Sequence, residues 1–388
     1  MRTLFWISLA LIAYVYVGYP ALLAAWSRLR ARTVRRAPLC AEAPGVSVVI
    51  AARNEAARLP ARIQNLLAQD YPGPLQIVVV SDGSTDGTRR ALAPFAERVD
   101  LVEIPASGKP TALNAGVARA RYEILAFADA RQTFERDALR RLVENFADPS
   151  VGAVTGELLL DCEVGAPRRA GPRAGDAEAA RRNGTSTIGE SMGAYWRYEK
   201  WLRRHESAVW STLGATGAIY AMRRSLWRPL PAPTLLDDVL APMRVVLAGY
   251  RVVFDGRAKA HDRVERVAAA ERRRKVRTLA GNYQVLSLEP PLLNPARNPV
   301  WLQYASHKLG RLIVPYAMGV LLVSSAVLAP AGLLYMAAFG AQIGFYALAG
   351  YGAWLEKRAT GTSAPPAVQP SADVRHAAVR PAASGVER

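Results

Sequence analysis

Two uninterrupted apolar stretches decide what this chain can become. Residues 4–26 and 312–355 contain no Asp, Glu, Lys or Arg, and roughly 20 apolar residues suffice to cross about 30 Å of hydrocarbon as a helix. The first stretch is one span long. It reads as a retained helix rather than a cleaved signal peptide, because it exceeds the roughly 7–15 apolar residues of a signal core. Trp6, Tyr19 and Trp26 stand near its ends, where aromatic anchors meet the headgroups. The second stretch is about twice a single span. Pro330 and Gly332 near its middle predict a turn, hence helices over 312–329 and 333–355.

Arg28, Arg30, Arg32, Arg35 and Arg36 follow the first span at once. The positive-inside rule therefore predicts an N-terminus outside and a cytosolic domain after it. Glu356, Lys357 and Arg358 return the chain to the cytosol after a hairpin of two spans. The expected organisation is a transmembrane helix over 1–27, a soluble domain over 44–290, an interfacial segment over 291–311, two spans over 312–355, and a disordered tail over 356–388, rich in Ala, Pro, Ser and Arg. Lys and Arg number 50 against 32 Asp and Glu, a net charge of +18. Beside apolar spans, that excess points to an anionic membrane surface or anionic substrates and not to nucleic acid. The Ala- and Arg-rich composition suggests a high-GC bacterium, hence a multi-pass protein of the inner (cytoplasmic) membrane. Cys40 and Cys162 form no disulfide framework, and the four histidines show no metal-ligand spacing.

Between the spans, short β-branched runs alternate with helical periodicity. Strands are expected over 46–51, 75–80, 99–104 and 123–128, with helices over 54–70, 85–96 and 110–120. This order predicts a doubly wound α/β sheet. Its polar residues cluster just past the strand ends, where open α/β sheets bind ligands. The first turn carries no G-x-G-x-x-G, and no P-loop motif occurs, so dinucleotide and P-loop readings fail. The D-G-S-T-D-G run lacks the spacing and closing Glu of a calcium loop.

Taken in order, the strand ends resemble the family 2 glycosyltransferases of the GT-A fold, in particular the membrane-bound cellulose, hyaluronan and chitin synthase-like group. The resemblance covers residues 46–278 and rests on Ala51-Ala52-Arg53-Asn54-Glu55 after the first strand, Ser81-Asp82-Gly83-Ser84-Thr85-Asp86 after the second, and a G-K-x-x-A-L-N-x-G segment from Gly108 to Gly116. It continues with Asp129-Ala130-Arg131 at the D-x-D position, a T-G-A-x-x-x-x-R-R run from Thr216 to Arg224, the acidic pair Asp237-Asp238, and Arg274 to Thr278 where that family carries Q-x-x-R-W.

The resemblance implies a mixed GT-A sheet and an inverting transfer from a nucleotide sugar. Asp82 would read the base, with Glu55 near base and ribose. Lys109, at a helix start, would face the diphosphate, and Asn114 would hold the sugar or its own loop. Asp129 would carry Mg²⁺ or Mn²⁺. Arg131 stands where a second acid is usual, which leaves two readings: a metal on Asp129 completed by water and phosphate, or a guanidinium that itself neutralises the diphosphate. Asp238 is expected to be the general base, with Asp237 mainly capping the helix predicted over 239–248. Asp86 is assigned to helix-terminus stabilisation. Thr216, Gly217, Asp237, Arg274, Arg277 and Thr278 fall on the acceptor side.

Aromatic and basic residues mix over 188–210, as in an amphipathic helix near headgroups or an acceptor-binding face. The basic run over 271–277 suits phosphate or anionic-lipid contact. Residues 165–185 read as a flexible Gly-, Pro- and Arg-rich insertion. Thr278 replaces the acceptor-stacking Trp and Arg274 the Gln, which weakens a polymer-extruding reading. Three spans also leave little material for a channel, so an exported polymer would need a partner membrane protein. The expected activity is transfer to a lipid-linked or growing glycan acceptor. The alternatives are a polyprenyl-phosphate glycosyltransferase and an inactive nucleotide-sugar-binding scaffold.

Overall fold

The structure is a computed structural model that describes residues 1–40, 42–160, 186–262 and 268–361. Cys162, the 165–185 insertion and residues 362–388 of the expected tail lie outside the described residues. Two compact units are formed, Met1–Ser324 and Ser325–Arg388.

The first unit begins with α1 (Arg2–Leu29), apolar and long enough to span a bilayer. The sheet follows. β1 (Val46–Ala52), β2 (Leu75–Asp82), β3 (Val99–Ile104) and β4 (Ile124–Ala128) are parallel, joined by crossovers through α2 (Leu59–Leu67), α3 (Thr88–Leu92) and α4 (Lys109–Arg119). β1 is central, with Val49 opposite both Val78 of β2 and Phe127 of β4. Val46, Val48, Val49 and Ile50 are wholly buried. Both faces of a parallel strand are covered by helices, which is why this strand reads as a continuous apolar run.

The second half turns the sheet mixed. β5 (Thr133–Phe134), β6 (Val151–Leu160), β7 (Ile219–Arg223) and β8 (Arg251–Asp262) extend it to the order β3-β2-β1-β4-β7-β6-β8-β5. β7 runs antiparallel to β4, with Ala128 opposite Ile219. That reversal brings the segment before β7 to the edge where β1, β2 and β4 end. The helices here are α5 (Ala138–Val143), α6 (Ser186–Val209), α7 (Asp237–Leu247) and α8 (Ala268–Leu288).

Several boundaries differ from the sequence expectation. The helix predicted over 54–70 starts only at Leu59. Asn54 adopts a left-handed φ of 55°, its Oδ1 accepts from the Thr85 N–H at 2.8 Å, and its own N–H donates to Ser84 Oγ at 3.1 Å. The turns after β1 and β2 thus hold each other, and a helix there would break that lacing. The helix predicted over 85–96 shortens for the same reason: Asp86 accepts from Thr88 and from the Ala56 N–H. The interfacial segment expected over 291–311 is already helical from Trp301, the start of α9 (Trp301–Ala331).

Buried polar contacts tie α1 and α9 to the soluble domain. Glu206 of α6 is fully buried. Its Oε1 accepts from the Tyr19 hydroxyl of α1 at 2.9 Å and lies 2.7 Å from Nδ1 of His307 in α9. One turn away along α9, Arg311 pairs with Glu199. Ionisable groups inside apolar surroundings persist when paired in this way. In the second unit α10 (Leu333–Gly361) contains an apolar stretch, Leu333–Leu355, long enough to span a bilayer. Leu333, Leu348 and Tyr351 are among its exposed apolar side chains.

Candidate active site

Parallel pairing sets Glu55, Asp82 and Asp129 at one edge, because β1, β2 and β4 end there in register. Asp82 is buried. Its Oδ1 accepts from the Ser107 N–H at 2.6 Å and its Oδ2 from the Gly108 N–H at 3.0 Å. A carboxylate held by two backbone donors fixes the loop immediately before α4. Lys109, the first residue of α4, is thereby aimed into the site. Glu55 pairs with Arg58 at 2.8 Å on the rim. Asn114 mimics a backbone strand toward Leu230: its Nδ2 donates to the Leu230 carbonyl at 2.8 Å, and its Oδ1 accepts from the Leu230 N–H at 2.9 Å. Its amide is spent on Leu230, 116 residues away in sequence.

Lys109 is the hub. Its Nζ lies 3.2 Å from Asp129 Oδ1 and 3.3 Å from Asp237 Oδ2. Burial opposes its charge, but Asp237, Asp129 and Asp238 together outweigh burial and raise its pKa. Asp237 is the first residue of α7, and no side chain caps that helix. The expected capping role for Asp237 is therefore corrected: its carboxylate faces Lys109 instead.

Asp238 stands beside Gly217. A Cβ at 217 would come within 3.1 Å of Asp238 Oδ2, so the glycine is what lets the carboxylate lie against this segment. The Asp238 carbonyl accepts from the Ala215 N–H at 2.7 Å. Thr216 is buried, donates its N–H to Thr155 Oγ1 at 2.8 Å, and accepts from Arg203 Nη1 at 2.6 Å. Burial, then the neighbouring Asp237, raises the pKa of Asp238, against the pull of Lys109, Arg203 and Lys308. A carboxyl lifted toward neutrality is a stronger proton acceptor when ionised.

Residues 47–225 match the family model for glycosyl transferase family 2. That segment, a little under half of the chain, is what the chain shares with the family 2 glycosyltransferases. The chain is similar to the poly-beta-1,6-N-acetyl-D-glucosamine synthase of Staphylococcus aureus strain COL, 24% identical over 256 residues, which are 63% of this chain and 56% of that protein. The synthase of the same name from Staphylococcus epidermidis is 24% identical over 250 residues, 62% of this chain and 55% of that protein. The chain thus spans about half the length of these relatives. In fold it resembles a mannosyltransferase from Pyrobaculum calidifontis in complex with GDP-Man and Mn²⁺, at a TM-score of 0.62 and 24% identity, covering 90% of this chain and 94% of that one. The expected mixed GT-A sheet with one N-terminal and two C-terminal apolar helices is thereby borne out.

The D-x-D position of this glycosyltransferase is arranged around its arginine. Arg131 pairs with buried Asp262 at 3.0 Å, and Gln132 Nε2 donates to the same carboxylate at 2.9 Å. The β5–β8 pairing, with Thr133 opposite His261, holds both in place. Among the described residues no three His, Cys, Asp or Glu gather as a metal cage. Asp129 therefore offers a single carboxylate, 37% exposed. A hard cation accepts one or two carboxylates when phosphate oxygens and water complete it, so this donor set fits a cation shared with a diphosphate.

Tyr220, Lys308 and Arg62 enter the site without a sequence signal of their own, and Arg203 joins them from the aromatic and basic segment 188–210. Tyr220 is buried in β7, stacked on Phe127 at 4.6 Å; burial, then Asp237, Asp238 and Asp129, push its pKa well up. Arg203 and Lys308 come from α6 and α9. Arg62 lies on the same face of α2 as Leu59, Ile63 and Leu66, fully buried, 4.0 Å over the Phe134 ring. Burial lowers its pKa to about 9, with Asp129 opposing. Arg274, Arg277 and Thr278 lie on the exposed side of α8, and Thr278 Oγ1 donates back to the Arg274 carbonyl at 2.9 Å.

Proposed function

We propose that this glycosyltransferase is an inverting enzyme. It moves a sugar from a nucleotide-sugar donor to a lipid-linked or growing glycan acceptor at the cytosolic face of a bacterial inner membrane. The observation that carries the reading is the Lys109 ammonium between Asp129 and Asp237, with Asp238 one residue further on.

The acceptor hydroxyl attacks the anomeric carbon and gives its proton to Asp238. A bond forms from that oxygen to the carbon as the bond from the carbon to the diphosphate oxygen breaks. The electron pair leaves with the nucleoside diphosphate, and Lys109 stabilises its charge. A divalent cation, Mg²⁺ or Mn²⁺, on Asp129 would neutralise the diphosphate further. Arg131, 41% exposed beside its pair with Asp262, lies two residues from Asp129 and adds positive charge to the same turn. Glu55 and Asp82 are the residues proposed for base and ribose, and Thr216, Gly217, Arg274, Arg277 and Thr278 line the acceptor side. The similarity to poly-beta-1,6-N-acetyl-D-glucosamine synthases and, in fold, to a mannosyltransferase supports a hexosyl or N-acetylhexosaminyl donor. A glycan product would leave through a partner membrane protein.

Membranes carrying the full chain, offered radiolabelled UDP-N-acetylglucosamine, UDP-glucose and GDP-mannose in turn, test this. Label in a lipid-extractable or polymeric product with one of these donors is expected. Absence of transfer from all three, with the protein folded and present, would overturn it.

A further inference from the structure

The basic helix α8 is fastened by two sets of contacts. Its Gly281 packs so closely on Leu236 that a Cβ there would lie 2.5 Å from Leu236 Cγ. Gln284 accepts from the Leu235 N–H at 2.8 Å and donates to the Pro233 carbonyl at 2.7 Å. These contacts bind α8 to the loop that leads into Asp237 and Asp238. Within the same turn, the Tyr283 hydroxyl donates to the Leu312 carbonyl at 3.3 Å and lies 3.2 Å from the Tyr316 hydroxyl. Leu312 and Tyr316 belong to the apolar helix α9, so Tyr283 sets the level of α8 against a membrane-length helix. Val276 lies two turns, about 10 Å along the helix, from Tyr283.

Around Val276 a groove of about 370 Å³ opens between α8 and the loop, lined by Leu235, Arg272, Arg273, Val276, Arg277 and Ala280. Leu235 and Val276 are exposed apolar side chains. Arg272, Arg273 and Arg277 are exposed, and among the described residues none of the three meets a carboxylate. The groove therefore presents an apolar floor beneath three guanidinium groups that meet no carboxylate among the described residues. An exposed loop or a nucleic-acid surface needs no apolar floor, and an ordinary apolar contact needs no arginine. The complement is a molecule with a phosphate joined to hydrocarbon, and a bilayer crossed by α9, to which α8 is fastened through Tyr283, supplies it.

We infer that this groove is a binding site for an anionic phospholipid of the bilayer, with the phosphate on Arg272, Arg273 and Arg277 and the first methylenes over Leu235, Val276 and Ala280. Occupancy there would brace the loop that leads into Asp237 and Asp238, coupling lipid composition to catalysis. The inference rests on the membrane-length helices and not on which sugar is transferred.

Native mass spectrometry of the full chain, released from nanodiscs of equal phosphatidylglycerol and phosphatidylcholine, reads lipid retention without turnover. The wild type is expected to keep phosphatidylglycerol in preference to phosphatidylcholine. The R272Q/R273Q/R277Q variant should keep at least about fivefold less phosphatidylglycerol, and Val276→Asp should lose it while leaving the arginines in place. A control, R89Q/R98Q, removes two exposed arginines from the soluble domain and should retain the lipid. Equal retention by wild type and the triple variant, no preference between the two lipids, or equal loss in the control would each overturn the site.

Discussion

Nζ of Lys109 lies 3.3 Å from Oδ2 of Asp237, and this contact joins two halves of the molecule that the sequence separates widely. Lys109 opens a helix of the parallel, donor-side half; Asp237 opens the helix that carries the proposed base. The ammonium therefore reports the position of each half to the other.

Removing that ammonium should damage the reaction more than the fold. Lys109→Met keeps the stem and leaves Asp129, Asp237 and Asp238 facing one another without a cation. A loss of about 10²–10³ in kcat/KM is expected, the scale of deleting one preorganised electrostatic group, with KM for the donor raised. Steady-state kinetics check it, and a variant within about twofold of wild type would remove Lys109 from diphosphate stabilisation.

Asp238 carries the pH dependence. Burial and Asp237 raise its pKa, so the acidic limb of kcat/KM should lie above the ordinary aspartate value of about 3.9, with activity rising as the carboxyl ionises. Lys109, Arg203 and Lys308 hold that pKa down. Arg203→Gln removes one of these cations, so the limb should move to higher pH. Asp238→Asn should cost about 10²–10⁴ in kcat. A pH profile unchanged by Arg203→Gln, or near-normal turnover in the asparagine variant, would place the proton acceptor elsewhere.

What the sequence made legible follows from what is local. Val48, Val49 and Ile50 declare a doubly covered strand by their residue types alone, and Asp82 and Asp129 follow from where such strands end. Helix starts were less legible: Asn54 and Asp86 spend their side chains lacing two turns together, which no helical periodicity records. Arg131 is read in the sequence as a missing metal ligand. Its partner Asp262 comes from the distant strand β8, so only the antiparallel β5–β8 pairing reveals the ion pair. Arg203 and Lys308 belong to elements whose periodicity describes a membrane-facing surface, and their approach to Asp238 is purely tertiary.

Asp129 should govern metal dependence. With one protein carboxylate available, affinity for the cation should depend on bound donor, since phosphate oxygens supply the remaining contacts. Activity is expected to fall in EDTA and return with Mn²⁺ or Mg²⁺, and Asp129→Asn should respond only at much higher metal concentration. Arg131→Asp would restore a second acid but also strand the buried Asp262 carboxylate, so lower stability is expected along with any gain in metal affinity. Full activity in EDTA would assign charge neutralisation to Lys109 and Arg131 alone.

Glu206 should be a stability residue, and the reason is its isolation from water. Its side chain serves the Tyr19 hydroxyl and His307 at once, joining α1 and α9 through α6. Glu206→Ala leaves the buried Tyr19 hydroxyl without its acceptor and His307 with only Glu199, 3.7 Å from its Nε2, and stranding a buried polar group costs about 1–3 kcal/mol. The exposed pair Arg89–Glu103 is the comparison: Glu103→Ala should change stability by less than about 1 kcal/mol. Denaturant titration in detergent, followed by tryptophan fluorescence, distinguishes the two. Equal stability of both variants would mean that the soluble domain holds α1 and α9 by apolar packing alone, with the Glu206 contacts adding nothing.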